Sequence, residues 1–347
     1  MIVFLFKLRF LILFCIARIR YSFRDIIISF IKDYIQIFFK KTNVQIFQAI
    51  ENTKATKLCI FSLHQNIHLR ESTYIYLKHL KENNYSICII ITSRLDQSML
   101  DRLKSICDEI IIRENIGYDF GSYKYGILRH LKKLNQFDNI LIANDSVIGP
   151  FYNLEPIFSE MNNKKCDFWG ISHTISSPNE NCCHVNSFFV VFKKNVITSE
   201  VFKNFWINYK STSSRIKTIN TGEKMLSKIL IKYGNFKMDS LFSQEFFYNE
   251  SQKDSINFFE NNIKYSQTNL FSDNKNIISY KDCTYYNSIL YLLKHHNNPF
   301  IKKDLLGRDI NPYYWHAGML FSILKEIKIE TTLTADIVIQ ELIQNLC

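Results

Sequence analysis

Glycine and proline are scarce, at 9 and 5 of 347 residues, and no repeat or low-complexity block appears. Collagen-like, solenoid and linker-rich architectures are thereby excluded. No charge-free apolar run approaches the roughly 20 residues that span a bilayer, so a spanning helix is not expected. A secretory signal fits poorly too, because basic residues interleave with the apolar ones and no small-residue cleavage site follows FLILFCIA. There is no C-x-x-C pair among the nine cysteines, and Cys182-Cys183 does not match zinc spacing. Cys59 in KLCIF and Cys88 in SICIIIT sit in apolar runs, as reduced thiols of a cytoplasmic protein do. Neither G-x-G-x-x-G nor a P-loop lysine pattern occurs, which disfavours a dinucleotide enzyme or a kinase.

What is present is ample apolar material, 47% hydrophobic and 15% aromatic, enough for a large core. The net charge is +11, and it is unevenly placed. Residues 1–41 carry eight basic side chains against Asp25 and Asp33, a net of +6 within FLILFCIA, IIISFI and YIQIFF. Such a segment reads either as interfacial helix contacting an anionic membrane or as helix packed on the protein's own core. The basic pI near 9.1 also raises nucleic-acid binding, but no nucleic-acid motif accompanies it and that partner is not expected.

From residue 57 the pattern becomes regular. KLCIFSL (57–63), YSICIIIT (85–92), EIIIR (109–113) and NILIA (139–143) read as buried strands. Between them, residues 70–84, 96–107 and 122–134 read as helices, Asp96 being the expected N-cap of the second. Continuous apolar strands alternating with helices predict a doubly wound, mostly parallel α/β sheet with helices on both faces. Further on, 166–172 and 185–194 read as strands, the second of mixed or edge type. Residues 199–209 and 222–234 read as helices, the latter stopped by Gly234. Residues 240–285 carry no clear periodicity; 288–296 and 316–327 regain helical spacing.

Two polar clusters fall where such sheets bind ligands, beyond the carboxyl ends of the strands. In LIANDSVIGPF a strand ends at Asn144, Asp145 and Ser146. Asp145 there either holds a divalent cation on a diphosphate or caps a turn that Gly149 and Pro150 complete. In RENIGYDFGSY, Gly117 and Gly121 permit close backbone approach, Asp119 is a helix N-cap or an acceptor for sugar hydroxyls, and Arg113 is a phosphate partner.

These residues, with DFWGIS, KLCIFSLHQN, VNSFFVVFKK, GEKMLSKILIKYG and NNPFIKKDLLGRDINP, resemble the rhamnan synthesis protein F family over about residues 57–312. The resemblance implies a GT-A-like nucleotide-diphospho-sugar transferase of bacterial surface-polysaccharide or lipopolysaccharide assembly. Its domain would span 51–312, between a basic helical segment (1–50) and a helical tail (313–347). Arg113, Gly117, Tyr118, Asp119, Gly121, Asn144, Asp145 and Ser146 would hold the nucleotide sugar, and Asp145 a Mg2+ or Mn2+ ion. Only one carboxylate stands in Asn144-Asp145-Ser146, where the family of folds often has two.

Glu223 looks like the general base of an inverting transfer, although a first-turn glutamate is also favoured by the helix dipole alone. Asp167, Trp169, His173, His184, Lys302, Lys303 and Arg308 are substrate candidates, with core packing or a solvated basic face as their ordinary alternatives. The family name suggests L-rhamnose as the sugar, a lipid-linked glycan as acceptor, and a cytoplasmic location on the inner face of the membrane. The competing expectation is a non-catalytic, GT-like sugar-binding or scaffolding protein.

Overall fold

In the computed structural model the continuous apolar runs become the parallel centre of one sheet. The structure describes residues 44–50, 54–65, 69–94, 96–175, 183–243, 292–303 and 324–346. The basic stretch 1–41, Arg308, Cys182 and most of 240–291 and 304–323 lie outside the described residues.

Strands β1 (Val44–Ala49), β2 (Lys57–Leu63), β3 (Tyr85–Ile91), β4 (Glu109–Arg113) and β5 (Asn139–Asn144) lie in the order β1-β4-β3-β2-β5. All these neighbours are parallel except β1, which is antiparallel to β4. Helices α1 (Glu71–Glu82), α2 (Gln97–Lys104) and α3 (Tyr118–Arg129) make the crossovers. Asp96 caps α2 as expected, accepting from the Met99 N–H at 2.7 Å.

The second half mixes directions. After the two-residue β6 (Val147–Ile148) and α4 (Glu155–Asn163) come β7 (Phe168–Ile175), β8 (Cys183–Val185) and β9 (Phe189–Lys193). β9 runs antiparallel between β5 and β7, and β10 (Met238–Phe242) pairs parallel to β7 at the far edge. Helices α5 (Lys194–Ile197), α6 (Glu200–Asn208), α7 (Arg215–Thr218) and α8 (Met225–Gly234) lie between β9 and β10. Near the end, β11 (Ile301–Lys302) pairs with β6, and α9 (Ala335–Leu346) follows.

The doubly wound α/β architecture expected from the sequence is present, because successive residues of each central strand feed opposite cores. Cys59, Phe61 and Leu63 pack with α1, α2, α4 and α9, while Leu58 and Ile60 pack with α3, α5, α6 and α8. No helix among the described residues is long and apolar enough to cross a membrane. Cys59, Cys88, Cys107 and Cys166 are free and buried, and Cys183 is half-buried.

Several elements depart from the sequence reading. Residues 44–49, inside the segment expected to be helical, form β1, which supplies the backbone partners that the open edge of β4 needs. α3 starts at Tyr118 rather than at 122, because Gly117 takes a left-handed φ of 82° and turns the chain into the helix. α8 is stopped by Asn235 at φ 54°, not by Gly234. β10 occupies the start of a stretch that showed no clear periodicity.

A buried carboxylate on α9 fastens that helix to α1. Glu341 accepts from the Ser72 N–H at 2.7 Å and from its hydroxyl at 2.6 Å, satisfying donors in the first turn of α1. Glu341→Ala leaves those donors buried without this acceptor, so urea unfolding should show a loss of about 1–3 kcal/mol, and Glu341→Gln a smaller one.

Candidate active site

The chain leaves β2 outward to β3 and β4 and then returns on the other side of β2 as β5. The seam between the carboxyl ends of β2 and β5 is thus the switch point of the sheet, where diverging connections open a crevice. A cavity of about 350 Å3 lies at that edge, lined among others by Tyr118, Asp119, Asn144, Ser187, Phe188, Arg215, Glu223 and Lys302.

Asp119 reaches the seam from the first turn of α3. Its Oδ1 accepts from the Ser62 hydroxyl at 3.4 Å and its Oδ2 from the Asn144 amide at 2.7 Å, so it touches both seam strands. Burial, and then the Asp145 carboxylate, push its pKa up to about 6, with Lys302 offsetting part of the rise. Tyr118 precedes it at φ 52°, a conformation rare for a bulky residue, and donates its hydroxyl to the Ser213 carbonyl at 3.0 Å. Strain at a cavity wall is held by its surroundings. Here Phe120 stacks on Trp206 with ring centroids 5.8 Å apart, and a Cβ on Gly117 would stand 2.6 Å from Ser211 Cβ.

Asp145 stands behind the wall rather than on it. Its Oδ1 accepts from the His64 N–H at 3.2 Å and its Oδ2 from the Gln65 amide at 2.9 Å, tying the end of β5 to the chain leaving β2. Asn144 Oδ1 meanwhile accepts from the N–H of Ser146 at 3.0 Å and from its hydroxyl at 2.5 Å. Asn144 thus closes the turn that the sequence assigned to Asp145, whose carboxylate is taken up by the chain leaving β2.

Lys302 and Lys303 are delivered from far along the chain by the β6–β11 pairing. Gly149, at φ 144°, makes that approach possible, since a Cβ there would lie 2.3 Å from the Pro299 carbonyl oxygen. Lys302 donates to the Ser146 hydroxyl at 2.6 Å, and its ammonium sits 5.1 Å from the Phe188 ring centroid. Lys303 donates to the Asp145 carbonyl, and burial draws its pKa down to about 8 against the pull of Asp145.

Glu223 enters from the opposite wall. It belongs to a π-helical turn, Ile219–Lys224, between α7 and α8. Turns of this kind widen a helix and often mark functional positions. Its Oε1 accepts from the Ser187 N–H at 2.8 Å, while burial raises its pKa above the usual carboxylate range.

Other sequence candidates lie elsewhere. Arg113 spends its guanidinium inside its own loop, donating to the Ser122 hydroxyl at 3.2 Å and to the Ile116 carbonyl at 2.6 Å. Gly121 packs against that same carbonyl. Trp169 is fully buried between Phe158 and Phe189, so it forms core and presents no ring to a sugar. Asp167 sits at the opposite end of the sheet, where it accepts from the Asn195 amide and the Lys237 N–H. His184 is buried on β8, its pKa pushed down to about 4 by burial and then by Lys224, and His173 bonds the Ser240 hydroxyl through Nδ1 at 2.8 Å. Arg215, Ser187 and Phe188 line the cavity without having been singled out. Ser187 and Phe188 fall in VNSFFVVFKK, the one signal that pointed near them.

Two side chains on the cavity wall, the Asp119 carboxylate and the Asn144 amide oxygen, suit a hard divalent cation in kind, and the Ser146 hydroxyl is hydrogen-bonded to the second of them. The crowding of Asp119 by Asp145 is a charge imbalance that a cation would relieve. A second group, Cys88, Glu109 and His130, has ligand atoms within 4.8 Å of one another where β3 pairs with the start of β4. Burial opposes ionisation of Glu109, but hydrogen bonds from His130 and Arg129 draw its pKa down to about 2, while burial holds the Cys88 thiol well above its ordinary value. Glu109 there is already paired with the Arg129 guanidinium.

A sequence profile of the rhamnan synthesis protein F family matches residues 87–345. The chain belongs to the rhamnan synthesis protein F family. It is 27% identical over 188 residues to the uncharacterized protein y4gN of Sinorhizobium fredii, covering 54% of this chain and 49% of that one. It is also 27% identical over 172 residues to virulence protein VirA of Vibrio anguillarum, covering 48% and 52%. This rhamnan synthesis F-type chain thus spans about half the length of the curated relatives it matches. A glycosyltransferase involved in glycosylation of the major capsid of PBCV-1 aligns at 13% identity and a TM-score of 0.29, over 50% of this chain and 76% of that one.

The raised pKa of Asp119 has a thermodynamic consequence. A carboxyl that titrates near 6 folded and near 3.9 unfolded destabilises the fold increasingly as pH rises between those values, and fully above them. Asp119→Asn should stabilise the fold at pH 7–8 by on the order of 1–3 kcal/mol, seen as a higher melting temperature, and the gain should vanish near pH 4. Thermal unfolding of both proteins across that range is the check.

Proposed function

We propose that this protein transfers a sugar from a nucleotide-diphosphate donor to a glycan acceptor in surface-polysaccharide synthesis, using the seam cavity. One observation carries the reading: a carboxylate with a raised pKa, Glu223, faces a lysine, Lys302, across a cavity at the switch point of the sheet. Membership in the rhamnan synthesis protein F family supports polysaccharide synthesis as the setting. The GT-A-like reading of the domain, L-rhamnose as the sugar, a lipid-linked acceptor, inversion at the anomeric carbon and an inner-membrane location follow from the sequence resemblance and belong to this proposal.

The chemistry needs three things. Glu223 accepts the proton of the acceptor hydroxyl as its oxygen attacks the anomeric carbon. The bond from that carbon to the diphosphate breaks, and the electron pair leaves with the nucleoside diphosphate. Lys302, fixed by Ser146, stabilises that developing charge without having to reorganise. Asp119 and Asn144 orient the donor by hydrogen bonds to its hydroxyls. A divalent cation, if bound, would be held by Asp119, Asn144 and Ser146, with Asp145 positioning the turn beneath them, and would supply further charge neutralisation at the diphosphate.

The base must be ionised to work, so turnover should fall as pH drops through the raised pKa of Glu223, on a limb above the usual carboxylate range. Glu223→Gln keeps the acceptor for the Ser187 N–H and removes the base. Its kcat should fall about 10²- to 10⁴-fold while donor Kd stays within a few-fold. Binding of donor without turnover by the wild type, for every nucleotide sugar offered with glycan acceptors, would support a non-catalytic sugar-binding protein instead.

A further inference from the structure

The cavity is rimmed on one side by a surface that does not resemble an ordinary solvated face. Between Ile207 and Gly234 the chain carries Lys210, Arg215, Lys217, Lys224, Lys228 and Lys232. The one acidic residue there is Glu223, which faces the cavity. Lys210, Arg215, Lys217, Lys228 and Lys232 are exposed. Large apolar side chains stand among them: Ile216 is 62% exposed, Met225 and Ile231 38% each, and Tyr233 67%.

These residues are ordered by the helix. In α8, Met225, Lys228 and Lys232 recur at three- and four-residue spacing, with Ile231 beside them, and Leu226, Ser227 and Leu230 point into the core. The outward face of α8 is therefore basic and apolar at once. The π-turn continues that face into α7, whose Arg215 and Thr218 line the cavity.

We infer that α7, the π-turn and the outer face of α8 form a docking surface for an anionic lipid membrane, holding the cavity mouth at the bilayer surface. Lysines draw such a surface to acidic head groups, and the isoleucines, methionine and tyrosine enter the interfacial layer. An acidic protein partner would match the charge but gives no reason for isolated apolar side chains spaced among the lysines. The placement rests on the lipid-linked acceptor proposed above, since it brings such an acceptor to Glu223 with no need to leave the membrane. It is separate from any contact made by residues 1–41.

The test uses the full chain with vesicles of phosphatidylglycerol and phosphatidylcholine, compared with phosphatidylcholine alone. Amide hydrogen exchange should slow across residues 210–233 on the anionic vesicles and not on the neutral ones. The double variant Lys228→Glu, Lys232→Glu should bind the anionic vesicles more than about tenfold more weakly, each lysine near the surface contributing a large factor. Its donor Kd in solution should be unchanged, because neither residue lines the cavity. Unaltered exchange in 210–233 on vesicles that retain the protein, or equal vesicle binding by the double variant, overturns the inference. Loss of donor binding by the wild type would instead defeat the transferase reading and leave the vesicle result standing.

Discussion

Three carboxylates, Asp119, Asp145 and Glu223, converge on the seam between β2 and β5, and much of the surrounding structure serves to hold that charge. Burial raises the cost of ionising Asp119 and Glu223, and Asp145 adds to the cost at Asp119. The fold answers with donors rather than by separating the acids. His64 and Gln65 leave β2 to bond Asp145, Asn144 bonds Asp119, and the Ser187 N–H bonds Glu223. Lys302 brings positive charge from more than 150 residues away. On the proposed function, residual negative crowding beside the Lys302 ammonium suits a ligand that carries both hydroxyls and a diphosphate.

That arrangement explains why distant segments must fold together. The β6–β11 pairing has only two residues per strand, yet it sets the positions of Lys302 and Lys303 against Ser146 and Asp145. Gly149 yields the space for it. Across the cavity, Phe120 carries the strained Tyr118–Asp119 turn by packing on Trp206 and Tyr209 of the α6 region. Ring pairs of this kind contribute about 0.5–1.5 kcal/mol each beyond their burial, enough to offset part of one strained residue.

The sequence carried the sheet well and the site unevenly. β2 through β5 were legible because strands covered on both faces are uninterrupted apolar runs, as in YSICIII and NILIA. β1 was not, because VQIFQA alternates and follows a strongly apolar basic stretch that reads as helix. Asp119, Asn144, Ser146, Glu223 and Lys302 were all named from sequence and do come together. Trp169 and Asp167 do not, since a DFWG motif gives no sign that its tryptophan turns into a core of Phe158 and Phe189. Nor does GEKML announce a π-turn: Gly222 lies against the Phe120 ring and Glu223 is thereby turned inward, a tertiary effect without a local signature.

On the proposed function, the diphosphate of a bound nucleotide lies in the seam cavity. A crystal structure with a bound nucleoside diphosphate tests that most directly. The diphosphate should lie within hydrogen-bonding reach of Lys302 Nζ and the Ser146 hydroxyl, with Asp119 facing the donor. A nucleotide bound elsewhere on the protein, with this cavity left vacant, would contradict it.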